Sequence, residues 1–244
     1  MKTLRNLGKT NIINKIGDGE GRRIASDFMD KVLIGFAKQS AKYINAVYEA
    51  PFVYSEKQLH SVLAPVISNI AETFLMEHPL ERKWEIESEP TFESYTGSLD
   101  YWCRYRGLDL FIELKHDRDA YKNDNIRQEA HKNWKKMNNE QLERVKDEAQ
   151  RFSEHSKGIL LIALHAFTVY ETLPNSKESL AREDIETLIS SQLNYFSNLE
   201  PYPNWCGLWV LHRDLFDRCT RDYENKKSYF PGVILVAKIN EIIK

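Results

Sequence analysis

The sequence predicts an α/β fold: a core of helix, three strands, helix and strand, whose mixed central sheet is flanked by helices. Three observations point to it. Apolar residues recur at helical spacing in the first third of the chain, extended segments meet at a two-residue turn near residue 106, and a near-continuous apolar run, GILLIALHAF, follows a long charged helical stretch.

The stretch up to Gly21 mixes Gly, Asn and Lys with little period and reads as loosely held. From Ile24 to Val47, residues such as Phe28, Val32, Leu33, Phe36 and Tyr43 recur at helical spacing, which predicts one long amphipathic helix closed by Pro51. Ser55 looks like an N-cap with Gln58 as its capping-box partner, so a second helix is expected from Ser55 to Met76, with Pro65 as a bend. Three extended segments follow, at about 83–89, 98–105 and 108–116, the last two split by Arg106-Gly107 as a hairpin. A charged helix with an inner stripe of Ile126, Ala130, Trp134, Met137, Leu142, Val145 and Ala149 is expected over 125–152. The run from Gly158 to Phe167 then reads as a buried central strand. A helix at about 177–196 and strands at about 207–212 and 232–239 complete the order. The central strands are expected to be those around Asp100, Glu113 and Leu161.

Composition narrows the function. Apolar residues at 42% and charged residues at 29% are ordinary globular values, and no apolar run is long enough to cross a membrane, so no membrane partner is expected. The basic N-terminus is not followed by an apolar stretch, which reads as no secretory signal and makes the cytoplasm the default. Cys103, Cys206 and Cys219 form no CxxC pair, arguing against structural zinc and a disulfide framework. A formal net charge of -2 gives no global attraction to nucleic acid, so any such binding must come from local patches.

The informative passage is GSLDYWCRYRGLDLFIELKHD, Gly97 to Asp117. If Tyr105 and Leu108 flank the turn, Asp100 lies opposite Glu113 on one face, and Lys115 joins that face by the two-residue period. Cys103, Leu110, Ile112 and Leu114 then point the other way. Cross-strand carboxylates about 5 Å apart repel. A hard divalent cation offsets that repulsion, since Mg²⁺ commonly takes one or two carboxylates together with water and substrate phosphate.

Asp100 followed by Glu113-Leu114-Lys115, in this order of elements, resembles the PD-(D/E)XK nuclease superfamily, which includes restriction endonucleases and Holliday-junction resolvases. The likeness covers about Ser55 to Phe167 and departs at Leu99, where the family often carries proline. It implies a restriction-endonuclease-like core over residues 55–244, with 1–54 as a helical extension packed on it. It also implies Mg²⁺, with Mn²⁺ as substitute, held by Asp100, Glu113 and the Leu114 carbonyl, with Lys115 serving the attacking water. Many members add a helical glutamate, and Glu56 and Glu72 compete for that place. The geometry of a helix running into the first core strand favours Glu56, with His60 one turn later facing the same way. Arg104, Gln128, Lys132 and Lys135 are candidate nucleic-acid contacts, with Asn125 near the substrate. Trp102 is placed on the site face, and His60 and His165 read as packing or surface residues. The expected activity is metal-dependent hydrolysis of nucleic acid, DNA first, by an endonuclease of restriction, defence or repair type. The alternative is an inactive module that binds nucleic acid or a partner subunit, and a homodimer is compatible with either.

Overall fold

The computed structural model describes residues 1–83, 94–120, 128–152, 155–174, 182–216 and 218–242. Its sheet comprises β1 (Lys2–Leu4), β2 (Gly8–Asn14), β3 (Thr73–Lys83), β4 (Ser94–Tyr105), β5 (Leu108–Ala120), β6 (Ile159–Pro174), β7 (Trp205–Leu211), β8 (Thr220–Tyr223) and β9 (Lys226–Ile242). Their spatial order is β1-β2-β7-β9-β6-β5-β4-β3, with β8 alongside β9. The sheet is mixed: β5 runs parallel to β6, and every other described pair is antiparallel.

The long first helix is α1 (Glu20–Val47), and its apolar stripe of Ala25, Phe28, Met29, Val32, Leu33 and Phe36 is fully buried. It stops where Tyr48 turns left-handed (φ 59) and donates its N–H to the Ile44 carbonyl at 2.9 Å. Pro51 opens a short 3₁₀ turn to Val53. The next helix, α2 (Glu56–Ile70), begins after Ser55 as expected, but the Ser55 hydroxyl bonds the Gln58 side chain instead of a backbone N–H. Pro65 sits within α2 without ending it. Helices α1 and α2 cover one face of the sheet, as the Phe28–Tyr105 and Phe36–Trp209 ring contacts from α1 and the His60–Tyr101 contact from α2 show. The other face carries α3 (Gln128–Lys136), a π-helical turn (Met137–Gln141), α4 (Leu142–Phe152) and α5 (Arg182–Phe196). A single turn, α6 (Arg213–Phe216), follows β7.

Four expectations are corrected. The N-terminal stretch is not loose: β2 pairs along its whole length with β7, and β1 folds back on β2. The second helix ends at Ile70, not Met76, because Thr73 to Met76 enter the β4 ladder opposite Arg104 to Tyr101; cross-strand pairing of β-branched and aromatic residues outweighs their helical spacing. The first core strand is therefore β3, and the strand expected at 83–89 meets it only at Lys83, the rest lying outside the described residues. Finally, β9 rather than β4 shares the centre of the sheet with β6, and β4 lies one strand from the edge.

Gly207 on β7 shows how tightly α1 closes on the sheet. A Cβ there would lie 2.3 Å from the Trp205 ring and 2.9 Å from the Leu33 side chain. Both neighbours are fully buried. Gly207→Ala is therefore expected to cost about 1–3 kcal/mol and to lower Tm by several degrees; an unchanged thermal unfolding curve would show that α1 can retreat without loss.

Candidate functional site

The site is built on the β4–β5 hairpin. Arg106 (φ 50) and Gly107 (φ 79) both adopt left-handed backbone, the requirement of the two-residue turn that follows strand twist. That turn fixes the register from Tyr105↔Leu108 to Tyr101↔Ile112. The next step would set Asp100 opposite Glu113, as expected, but the ladder ends before it. Asp100 Oδ2 instead accepts the Leu114 N–H at 2.7 Å. On the other side of β4, Met76↔Tyr101 and His78↔Leu99 pair, while Glu77 between them takes φ 53 across from Asp100. Asp100 thus stands at an opening in both ladders. Its side chain is 20% exposed, and Glu113 is buried at 3%.

Lys115 closes this opening. Its Nζ donates to the Leu114 carbonyl at 2.8 Å and lies 3.4 Å from Glu56 Oε1. Glu56 is the first residue of α2, where the helix N-terminus favours a carboxylate. Glu72, its competitor, lies past the other end of α2 and gives its backbone N–H to the Arg104 carbonyl at 2.8 Å. Four residues of strand separate Arg104 from Asp100, roughly 13 Å. One turn into α2, His60 Nδ1 is 2.6 Å from the Tyr101 hydroxyl, and His60 Nε2 is 3.9 Å from Asp100 Oδ1. Burial, then the charges of Asp100 and Glu56, keep the Tyr101 phenol far above its usual range and hence protonated.

Beyond Lys115 the same face continues with Asp117. Asp117 Oδ2 accepts from His165 Nε2 at 2.9 Å and from Asn133 Nδ2 at 3.2 Å. Burial pushes this carboxylate upward, but the His165 bond and charge and the Asn133 bond outweigh it, leaving Asp117 below its usual value. His165 is paired in register with Lys115, is wholly buried and stacks on Phe167 at 4.0 Å. Burial holds it below its normal pKa despite the neighbouring Asp117.

The fold brings Glu56, Asp100, Leu114 and Lys115 together, with Glu113 next along β5. It does not bring Arg104 to them. The Arg104 guanidinium forms a two-pronged pair with the fully buried Asp109, at 2.8 and 3.1 Å. Gln128, Lys132 and Lys135 are exposed on α3, Trp102 is half-buried, and Asn125 lies outside the described residues. Sequence reasoning missed Tyr101, Asp117 and the bonds that His165 and Asn133 each make to Asp117. The two-residue period from Glu113 and Lys115 to Asp117 was the available signal for one of them. Among the described residues, no three His, Cys, Asp or Glu side chains gather to hold a metal. The oxygen donors offered are two carboxylates and one backbone carbonyl. Among the described residues, no helix is long and apolar enough to cross a membrane. No protein-family model matches the chain, nor does any curated protein or solved structure.

On the opposite face of β5, His116 Nε2 lies 2.9 Å from Thr168 Oγ1, whose own hydrogen goes to the Phe52 carbonyl at 2.5 Å. The hydroxyl can therefore only accept, so His116 carries its proton on Nε2. Burial first, then the Arg118 and His165 charges, lower its pKa to about 4. Because the unfolded chain binds this proton more readily, the stability contribution is complete above the unfolded value, about 6.5, and is lost as pH falls toward 4. Chemical denaturation is expected to show a decline across that window, about 3 kcal/mol in total from this residue, and His116→Gln should flatten it; an equally steep decline in the variant would assign it elsewhere.

Proposed function

We propose that the chain is a metal-dependent nuclease that hydrolyses phosphodiester bonds of nucleic acid, DNA first, as an endonuclease. The observation that carries this reading is the conversion of Leu114 from a ladder residue into a site residue. Its N–H is taken by the Asp100 carboxylate and its carbonyl by the Lys115 ammonium. The order α2, β3–β4–β5, α3–α4, β6 supports it, because it repeats the helix, three-strand, helix, strand order of the PD-(D/E)XK core that the sequence resembles.

The donor set fits a hard cation. Asp100, Glu113 and the Leu114 carbonyl offer oxygen alone, and Mg²⁺ characteristically uses one or two carboxylates while retaining water and substrate phosphate. When bound, such an ion polarises the phosphate and lowers the pKa of a coordinated water. The chain's own residues supply the rest. Lys115, held between Glu56 and the Leu114 carbonyl, orients the attacking water and offsets charge developing on the phosphorane-like transition state. Glu56 holds Lys115 in place and assists the water. His60 and Tyr101 back the Asp100 carboxylate from the α2 side.

In this reading the purified chain cuts some form of DNA with Mg²⁺ or Mn²⁺, and Lys115→Ala, still folded, loses activity by about 10²–10³-fold, the usual effect of removing one transition-state donor. A panel of linear, nicked, branched and single-stranded DNA defines the substrate; equal cleavage by the variant would point to a contaminant or another site.

A second reading, a nuclease-fold module that binds nucleic acid or a partner subunit without cutting, draws on one contact: the Lys115 ammonium already occupies the Leu114 carbonyl. Metal titration separates the two. In the nuclease reading, Mn²⁺ binding appears in calorimetry, is abolished by Asp100→Asn or Glu113→Gln, and raises Tm in wild type by mass action. No divalent-metal binding with or without DNA would leave only the second reading.

A further inference from the structure

The outward face of α3 takes no part in the site described above. Gln128, His131, Lys132, Lys135, Lys136, Asn139 and Glu140 line one shallow cleft of about 400 Å³. Their spacing of three and four residues sets them along one helical face. Ala130, Trp134 and Met137 of the same stretch are buried, so the basic face points away from the sheet. Glu140 at its end is 3.9 Å from Arg144, and Glu129 flanks the cleft without lining it.

Three lysines within five positions concentrate basic charge on this face. Lys9, Lys31, Lys115, Lys146 and Lys227 each lie within 4.0 Å of a carboxylate. Among the described residues, no such ion pair engages Lys132, Lys135 or Lys136, all of which are exposed. Lys132 stands three and four residues before the other two, the spacings at which like charges weaken a helix. Its acids stand at the two ends, Glu129 three residues before Lys132 and Glu140 four after Lys136, and leave the charges between them unbalanced. An anion laid along the face removes the repulsion.

The helix is also fastened to the site. Asn133 of α3 bonds Asp117, two residues past Lys115 on β5, at 3.2 Å. From Gln128 to Asn139 the helix advances roughly 16 Å, about five nucleotide steps of one strand. No large apolar side chain lines the cleft, so it lacks the buried anchor that a protein partner would use.

We propose that this face is a phosphate track, a sequence-independent seat for the backbone of duplex DNA, with Lys132, Lys135 and Lys136 as its main contacts. That the seated strand leads to the Asp100–Lys115 site rests on the nuclease reading; the binding itself does not.

The test is fluorescence anisotropy of an end-labelled duplex with the full chain in EDTA, where metal-dependent cleavage is silent, from about 50 to 200 mM NaCl. Wild type gives a linear fall of log affinity with log salt. The triple variant Lys132→Gln, Lys135→Gln, Lys136→Gln binds at least tenfold more weakly at the low end, with a slope shallower by about 2–3. Lys→Arg at the same three positions restores the slope. The charge-matched variant Lys38→Gln, Lys42→Gln, Lys226→Gln, exposed elsewhere, keeps the wild-type slope, and matching melting curves establish that all variants are folded. An unchanged slope in the triple Gln variant, an equal loss in the charge-matched control, or no salt-dependent binding by wild type would overturn the proposal. Track-dependent binding without cleavage under any divalent metal sustains this face while removing the nuclease reading. Lys115-dependent cleavage that ignores the three lysines does the reverse.

Discussion

A backbone N–H buried among strands must find a partner, and that requirement at Leu114 organises the site. In a continued β4–β5 ladder Leu114 would face Leu99, by the same register that pairs Tyr101 with Ile112. The strands part before that step, and β5 goes on with β6 alone on its other side. The freed N–H is recovered by Asp100, and the freed carbonyl by Lys115. A carboxylate and an ammonium are therefore fixed by the same peptide units that hold the sheet together. The opening is affordable only because α2 lies over it, placing Glu56 and His60 where the strands separate.

The helices are in turn anchored through polar groups that burial would otherwise strand. Tyr105, at the end of β4, donates its hydroxyl to Asp27 and accepts from Lys31 at 2.7 Å, tying α1 to the hairpin turn. Trp205 Nε1 reaches Asp30 at 3.0 Å, Trp209 Nε1 reaches the Leu7 carbonyl at 2.9 Å, and Trp134 Nε1 reaches the Pro201 carbonyl at 2.8 Å. Each of these large rings fills the core and still satisfies its one donor. On the site side, Asn133 does for α3 what Tyr105 does for α1. It binds a helix to a strand by a directed bond rather than by apolar contact alone.

Much of this was legible in the residues, for identifiable reasons. The Arg106-Gly107 turn is a local signal that sets the register from Tyr105↔Leu108 to Tyr101↔Ile112, whereas the parting of the strands before Asp100, which turns its carboxylate to the Leu114 N–H, has no local signature. The start of α2 and its apolar stripe were equally local. What escaped was non-local or weakly patterned. The β1–β2 hairpin carries Gly, Asn and Lys where alternation would be read, and its pairing with β7 spans nearly the whole chain. The central place of β9 has no local signature, since an apolar strand does not announce its neighbours. His60 meeting Tyr101 depends on α2 lying over a face that Tyr101 shares with Cys103, a contact that no spacing encodes.

The position of β9 has a consequence for how the molecule is made. Residues 226–242 join β6 to β7 and so unite the β3–β4–β5–β6 half of the sheet with the β1–β2–β7 part. During synthesis the candidate site's hairpin and its parallel partner β6 are made before β9, so the edge of β6 that β9 covers is at first bare. That edge stays open until the last described strand leaves the ribosome, and an unpaired edge of sixteen residues invites other chains. Such sequence-distant pairing slows folding. Strand β9 is thus the piece that closes the sheet, and before it is made a chaperone that shields strand edges would matter most.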